Sequence, residues 1–393
     1  MVAFTYYVSK HEISWIPFIL DDYRGVGEKI GLEGSGITFR RVDETSKGDF
    51  AWVHTPNQDS SKCYSEAKVR GGNAVSGTHV LEDKFKLALL NQKTQSNIES
   101  LVFIGAAQVE RWAAKYWSTD THSDQLWMVK DSGANCGDGL FVTGRSNWSA
   151  VVEELHASER QSKRTIRFVI QKYIENPELW KGKFKYHIRM YVVVRGDLSA
   201  YLHSTALVHV ANKPYNVQAI GLSDKEIHLT NVSKNHHNED LFHGCPIVHL
   251  RTYLGDDRMN KVLRLFRETF ESARPYMMNQ KSPFDFSHIG ADIMFDQAGE
   301  PYLLECNIPP CIGNYGDDML EEQHHFFRDL FYSMTETFAV SVLDKNAKRQ
   351  TSMWETIIGC SPPELVKYSE ELVGLNKLSW TLFEKKAVKK QML

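Results

Sequence analysis

Residues 290–307 read GADIMFDQAGEPYLLECN, two apolar runs of strand length joined by a glycine-containing turn. Side chains alternate between the faces of a strand, so a hairpin that pairs Phe295 with Tyr302 sets Asp292 opposite Glu305. Asn307 then lies two residues further along the same face. Two carboxylates facing each other repel and raise one another's pKa, an expensive arrangement unless a cation sits between them. Magnesium suits the pair, because it takes oxygen ligands and is commonly held by one or two carboxylates with substrate phosphates and water. Asp292, Glu305 and Asn307 are the metal-facing candidates. The competing reading is a solvated hairpin in which Asn307 satisfies local backbone ahead of Pro309 and Pro310.

A second strand carries the opposite charge. KYHIRMYVVV, from Lys185, alternates so that Lys185, His187, Arg189 and Tyr191 share one face and Tyr186, Ile188, Met190 and Val192 the other. Arg189 is suited to bidentate recognition of a carboxylate or phosphate. An ordinary exposed strand edge, charged to deter pairing, is the bland alternative. His187 is a candidate for proton transfer, against a role in hydrogen bonding or in shaping the groove. Lys130 adjoins the flexible turn SGANCGDG, where exposed amides can approach phosphates, but no GxxxxGK loop is present. Lys84 and Lys172 are further basic candidates. The adjacent His236 and His237 form no metal set, and Trp112, Trp117 and Trp127 read as core rather than as a stacking platform for nucleic acid.

The remaining pattern mixes strands and helices. LEDKFKLALL predicts a helix with Leu81, Phe85, Ala88 and Leu89 on one stripe, and LWMVKDSGANCGDGLFVTG a strand, a turn and a returning strand. Trp148, Val151, Val152 and Leu155 recur at helical spacing, with Ser146 or Asn147 placed to cap the first amides. RTIRFVIQKYIE and LSAYLHSTALVHVA read as strands, and Pro177 lies where a missing donor interrupts a ladder least. Val262, Leu265, Phe266, Thr269 and Phe270 predict a helix over 258–274, and further helices are expected over 319–338 and 363–390. Gly25 to Gly36 miss the GxGxxG spacing and read as turns.

Composition narrows the class. The chain has 393 residues, 46 Lys and Arg against 49 Asp and Glu, and a net charge of −3, which is no coat for nucleic acid. Six cysteines without a CxxC pair point to free thiols in a reducing compartment. The first residues lack the pattern of a signal peptide, and no stretch approaches the roughly 20 apolar residues that span a bilayer. A soluble cytoplasmic protein is expected, bound neither to membrane nor to nucleic acid. The absence of a long coiled-coil pattern points to a monomer.

The order of LWMVKDSGANCGDGL, KYHIRMYVVV, HLTN and ADIMFDQAGEPYLLECN resembles the tubulin tyrosine ligase-like family, a branch of the ATP-grasp ligases, and most of all its compact members. The resemblance implies an α/β ATP-grasp fold with nucleotide between antiparallel sheets and a smaller N-terminal domain. It implies a division into 1–75, 76–180 and 181–393, the last with a helical terminal region. ATP and Mg2+ are the implied cofactors. Lys84 aligns with a lysine near the active groove and Lys130 with the lysine that meets ATP phosphates. Lys185 and Arg189 fall on the basic pair of a K-x-D-I-R-like strand, and Asp292, Glu305 and Asn307 on the magnesium-binding set. Thr230 and Asn231 of the HLTN segment, which begins at His228, are placed near nucleotide or the reacting groups. Gln171, Lys172, Tyr173 and Ile174 fall on the adenine-side strand.

Departures from the family pattern touch the same region. His187 stands where the family carries an acid, His209 where an arginine is frequent, Ser204 at a frequently basic position, and Asp138 in the turn after Lys130. Arg189, Lys185, His187 and His209 are the candidates on the catalytic side. The implied chemistry is attack of a carboxylate on ATP to give an acyl phosphate, then attack by an amine to give an amide, ADP and phosphate. The expected partner is alpha/beta-tubulin, through the acidic alpha-tubulin C-terminal tail. The expected reaction is addition of free tyrosine to the terminal glutamate of detyrosinated alpha-tubulin. The alternatives are a polyglutamylase or glycylase, and a tubulin-binding pseudoenzyme.

Overall fold

The computed structural model describes residues 2–8, 37–42, 50–52 and 71–72, and then 75–310 apart from 95–97, 119–124, 135–136, 197, 199, 232–245, 278–284 and 309. His236 and His237, the Gly25–Gly36 turns and the expected helices over 319–338 and 363–390 lie outside the described residues. The N-terminal strands β1 (Val2–Val8), β2 (Ile37–Val42), β3 (Phe50–Trp52) and β4 (Gly71–Gly72) form a parallel sheet in the order β2-β1-β3-β4.

Two short helices follow, α1 (His79–Glu82) and α2 (Lys84–Asn91), where the sequence predicts one. Asp83 makes the break. Its extended backbone ends α1, and its Oδ1 accepts from the amides of Phe85 and Lys86 at 3.0 and 3.2 Å, capping α2. The restart changes the phase of the apolar stripe, so Leu87 and Leu90 are buried while Leu89, expected inside, is 39% exposed.

A four-stranded antiparallel sheet comes next, built from β5 (Ser100–Ile104), β6 (Trp127–Asp131), β7 (Leu140–Thr143) and β8 (Arg167–Lys172) in the order β5-β8-β6-β7. Helices α3 (Ala106–Tyr116) and α4 (Trp148–Ser162) cover one face, where Trp117, Trp127, Val151, Leu155 and Phe168 form a core. Trp112 packs edge-on against Trp117 and Trp127 in that core, in agreement with the expectation that these rings are core rather than a stacking platform. Asn147 precedes α4 but does not cap its first amides. Its Oδ1 accepts from the Gly144 amide and its Nδ2 donates to the Val142 and Ile220 carbonyls, so the side chain ties the end of β7 to the segment around Ile220 instead.

The six-stranded sheet is larger and also antiparallel. It contains β9 (Leu179–Trp180), β10 (Phe184–Arg195), β11 (Ala200–Pro214), β12 (Ile247–His249), β13 (Phe286–Phe295) and β14 (Pro301–Asn307), with β12-β11-β10-β13-β14 in order and β9 on β10. Between β11 and β12 lies α5 (Lys225–His228), and between β12 and β13 the long α6 (Leu250–Ala273). That helix starts eight residues before the predicted segment and kinks at Gly255, whose φ of 73° leaves the helical region. Val262, Leu265, Phe266, Thr269 and Phe270 are all buried, as their spacing predicts.

Alternation decides which face each sheet shows. On β10, Tyr186, Ile188 and Met190 enter the core with α6, and on β13 Ile289, Ala291, Ile293 and Phe295 do the same. Their neighbours Lys185, His187, Arg189 and Asp292 face the other way. With β11 and β13 on its two sides, β10 is central, so the reading of its charges as a guard on an exposed edge is overturned. No described helix is long and apolar enough to cross a membrane.

Candidate functional site

One cleft collects most of the side chains that the sequence singles out. It lies between the four-stranded sheet and the polar face of β10, β13 and β14, and opens to solvent at its mouth. Lys130, Gln171, Lys172, Tyr173, Ile174, Lys185, His187, Thr230, Asn231, Asp292 and Glu305 line it. Ile98, Met128, Leu140, Met294 and Leu304 give it apolar walls. None of these apolar residues is marked as a site residue by the local sequence. The signal was present in β6, where Met128 and Lys130 alternate with the core residues Trp127 and Val129.

The hairpin register explains one wall. Asp292 does face Glu305, but the ladder slips between Asp292 and Ile293, so that Phe295 pairs with Pro301 and Met294 with Tyr302. The expected pairing of Phe295 with Tyr302 is thereby corrected by one residue. Leu304 is the extra residue of a bulge, and its carbonyl, out of the regular ladder, accepts from Lys130 Nζ at 3.1 Å.

Lys130 and Lys185 come from the two sheets and are 7% and 3% exposed. Burial lowers Lys130 to a pKa of about 8, with Glu305 opposing and Lys84 reinforcing the shift. Burial, helped by the neighbouring Lys130, lowers Lys185 to about 7. Among the described residues no carboxylate pairs with Lys185; its Nζ donates to the Tyr173 hydroxyl at 2.7 Å. An anion in the cleft would restore the charge of both lysines. Lys84 stands at the edge, donating to the Ala134 carbonyl at 2.9 Å with Glu305 Oε2 at 3.9 Å.

Asp292 is committed elsewhere. Arg189, its direct cross-strand neighbour, grips the carboxylate through Nε and, at 2.9 Å, through Nη2. His187 Nε2 lies 3.4 Å from Asp292 Oδ1, and His187 Nδ1 lies 2.5 Å from Thr230 Oγ1. Burial alone would raise the Asp292 pKa, but Arg189 and His187 outweigh it and hold the carboxyl well below the usual range. His209 pairs with His187 across β10 and β11, with ring centroids 4.6 Å apart, and burial followed by His187 and Arg189 keeps its imidazole neutral.

The Arg189 side chain passes close over Gly290, where no side chain stands in its way. A Cβ there would come within 2.9 Å of both Arg189 Cδ and Pro310 Cβ. Gly290→Ala is therefore expected to destabilise the protein by about 1–3 kcal/mol through overpacking, read as a lower midpoint in urea with an unchanged slope.

The remaining candidates are placed differently. Asn307 sits opposite Gly290 and does not line the cleft, and its Nδ2 is buried with no hydrogen-bond partner among the described residues. Asp138 is exposed and away from the cleft lining. Gln171 Nε2 donates to Ser100 Oγ at 3.2 Å, and Lys172 is exposed at the rim. Among the described residues no three or more His, Cys, Asp or Glu side chains gather to hold a metal unaided.

Comparison with known proteins gives the same direction. The sequence profile of the tubulin-tyrosine ligase family matches residues 78–347. Tubulin monoglutamylase TTLL4 of Mus musculus is 28% identical over 239 residues, 55% of this chain and 19% of the relative. The probable tubulin polyglutamylase ttll-9 of Caenorhabditis elegans is 26% identical over 205 residues, 48% of this chain and 47% of the relative. The probable tubulin–tyrosine ligase PBY1 of Saccharomyces cerevisiae is 24% identical over 276 residues, 60% of this chain and 37% of the relative. The matches thus span from about a fifth to about half of these relatives' lengths.

Proposed function

The chain belongs to the tubulin-tyrosine ligase family, and from that membership we propose that it is an ATP-dependent carboxylate–amine ligase that adds glutamate to tubulin tails. The observation that carries the ligase reading is the pair of buried lysines, Lys130 and Lys185, on the cleft between two antiparallel sheets. Two relatives named as glutamylases, one mono- and one poly-, support a side-chain glutamate acceptor, and the expectation of a compact tyrosine ligase gives way to it. Tyrosination of the terminal carboxylate is the second reading, supported by the similarity to PBY1. Cytoplasmic tubulin is the proposed partner.

In this reading the apolar walls hold the base of ATP and the two lysines take the phosphates. An acceptor carboxylate attacks the terminal phosphorus, ADP leaves, and the amine of the incoming amino acid displaces phosphate from the acyl phosphate to leave an amide. Buried cations offset the charge that builds on the transferred group. Arg189, fixed by Asp292, is the residue to hold the acyl phosphate. Glu305 and, through the lone pairs that Arg189 leaves, Asp292 opposite it would hold a magnesium ion that arrives with phosphates rather than one caged by protein alone. Bound there, magnesium supplies charge neutralisation to the phosphates.

His187, His209 and Asp138 motivated the pseudoenzyme alternative. Asp138 faces solvent, and the two histidines are direct cross-strand partners. The family's acid and base are thus exchanged together at adjoining positions, which favours retained activity over the loss of a single charge.

The test supplies purified protein, Mg·ATP and tubulin with isotopically distinct Glu, Gly and Tyr, and maps added mass on tail peptides. Side-chain Glu supports the proposal; side-chain Gly selects the glycylase alternative; terminal Tyr selects the second reading; tubulin bound without incorporation or ADP release selects the pseudoenzyme. Calorimetry gives an independent check. Phosphates should raise Lys130 and Lys185 from about 8 and about 7, so ATP binding at pH 8 should take up protons. The apparent enthalpy will then depend on the buffer's ionisation enthalpy.

A further inference from the structure

We propose that Tyr173 and His228 form a positioning relay for Lys185: His228 fixes the Tyr173 hydroxyl as an acceptor for the lysine, whose other ammonium hydrogens are left to the cleft. The consequence for phosphate binding rests on the ligase reading; the relay itself rests on the geometry.

Three buried side chains from separate segments meet here: Lys185 on β10, Tyr173 just after β8 and His228 at the end of α5. His228 Nε2 lies 2.5 Å from the Ala219 carbonyl oxygen. A carbonyl only accepts, so this nitrogen carries the hydrogen, and a neutral imidazole then leaves Nδ1 bare. The Tyr173 hydroxyl, 2.7 Å from Nδ1, must donate to it. Its oxygen is thereby turned to accept from Lys185 Nζ, also at 2.7 Å. Burial chiefly, with Lys185 next, holds His228 near a pKa of about 4, and burial keeps the Tyr173 phenol protonated.

Of the other groups facing this chain, Tyr215 also meets the Tyr173 hydroxyl through a side-chain hydrogen bond, and it is the 2.7 Å contact with the bare His228 Nδ1 that assigns the Tyr173 hydrogen to the relay. Lys130 approaches Lys185 as a like charge, Tyr215 and Glu175 adjoin Tyr173, and Asp224 adjoins His228. The Tyr215 hydroxyl donates to the Glu175 carbonyl at 2.7 Å. Lys185 Nζ also sits over the Tyr173 ring, 4.0 Å from its centroid, so the ring bounds one side of the ammonium and the cleft the other. A lysine has three donors, and the relay uses one of them.

The test is a 13C NMR titration of the lysine ε-carbons in the full nucleotide-free chain, the Lys185 signal being assigned by its loss in Lys185→Arg. Tyr173→Phe removes one oxygen and keeps the ring, and His228→Leu removes the acceptor at similar volume. Both should lower the Lys185 midpoint by about one pH unit, the loss of a hydrogen bond that favours the charged form. His228→Gln, which keeps one donor and one acceptor, should return it to the wild-type value. Mg·ATP affinity at pH 7 should fall about tenfold in the first two variants and recover in the third. An unchanged Lys185 midpoint in Tyr173→Phe overturns the relay, whether or not His228→Leu folds. If wild-type protein binds no Mg·ATP, the ligase reading fails, and the titration still decides the relay.

Discussion

Asp292→Ala is expected to abolish amino-acid incorporation and to destabilise the fold, two losses with different causes. The carboxylate is buried and gripped by Arg189 through two nitrogens. Its removal leaves a buried guanidinium without its counter-charge, which costs about 3–5 kcal/mol. Pairing the change with Arg189→Met removes both charges and should recover most of that stability, because an apolar replacement of a whole buried pair is often neutral. Activity should not return, since Asp292 lines the cleft and Arg189 is the proposed holder of the acyl phosphate. Urea denaturation of the four proteins in the cycle, with incorporation assays on each, separates the terms. Recovered incorporation in the double variant would remove both residues from the chemistry.

Lys185→Met should lose nucleotide binding while making the nucleotide-free protein more stable at neutral pH. The lysine is 3% exposed and has no carboxylate beside it among the described residues, so its charge is held at a cost. Methionine fills similar space without that cost, and a gain of about 1–3 kcal/mol at pH 7 is expected. The pH dependence has a definite sign. An unfolded Lys185 keeps its proton to about 10.5, whereas the folded one releases it near 7. Between these values the unfolded state binds more protons, so wild-type stability contributed by this group rises with pH. Thermal melts from pH 7 to 9 should show that rise in wild type and a flatter profile in Lys185→Met. A variant less stable than wild type at pH 7, or one that still binds ATP normally, would contradict this account of the lysine.

Much of the site was legible because strand alternation is a strict rule. The spacing of Lys185, His187 and Arg189 put them on one face, and the apolar residues between them are the core face of β10. Asp292 opposite Glu305 followed from the same rule. The commitments of these groups were less visible. Nothing in the local sequence shows that Arg189 and Asp292, 103 residues apart, would neutralise each other, because that depends on which strands become neighbours. The bulge at Leu304 was hidden for a similar reason, since either register keeps Asp292 opposite Glu305 and only the turn end differs. The family resemblance gives Tyr173 only a place on the adenine-side strand, whereas its hydroxyl reaches Lys185. Asp83 was read as one helical position among ten, but a residue able to cap its own successors can end one helix and begin the next.

The most direct measurement is a structure of the full chain with Mg2+ and a non-hydrolysable ATP analogue. Phosphate oxygens within hydrogen-bonding distance of both Lys130 Nζ and Lys185 Nζ, with the base against Met128, Leu140 and Met294, are the predicted result. A nucleotide bound elsewhere, with the two lysines as far from phosphate as any surface residue, would contradict the account.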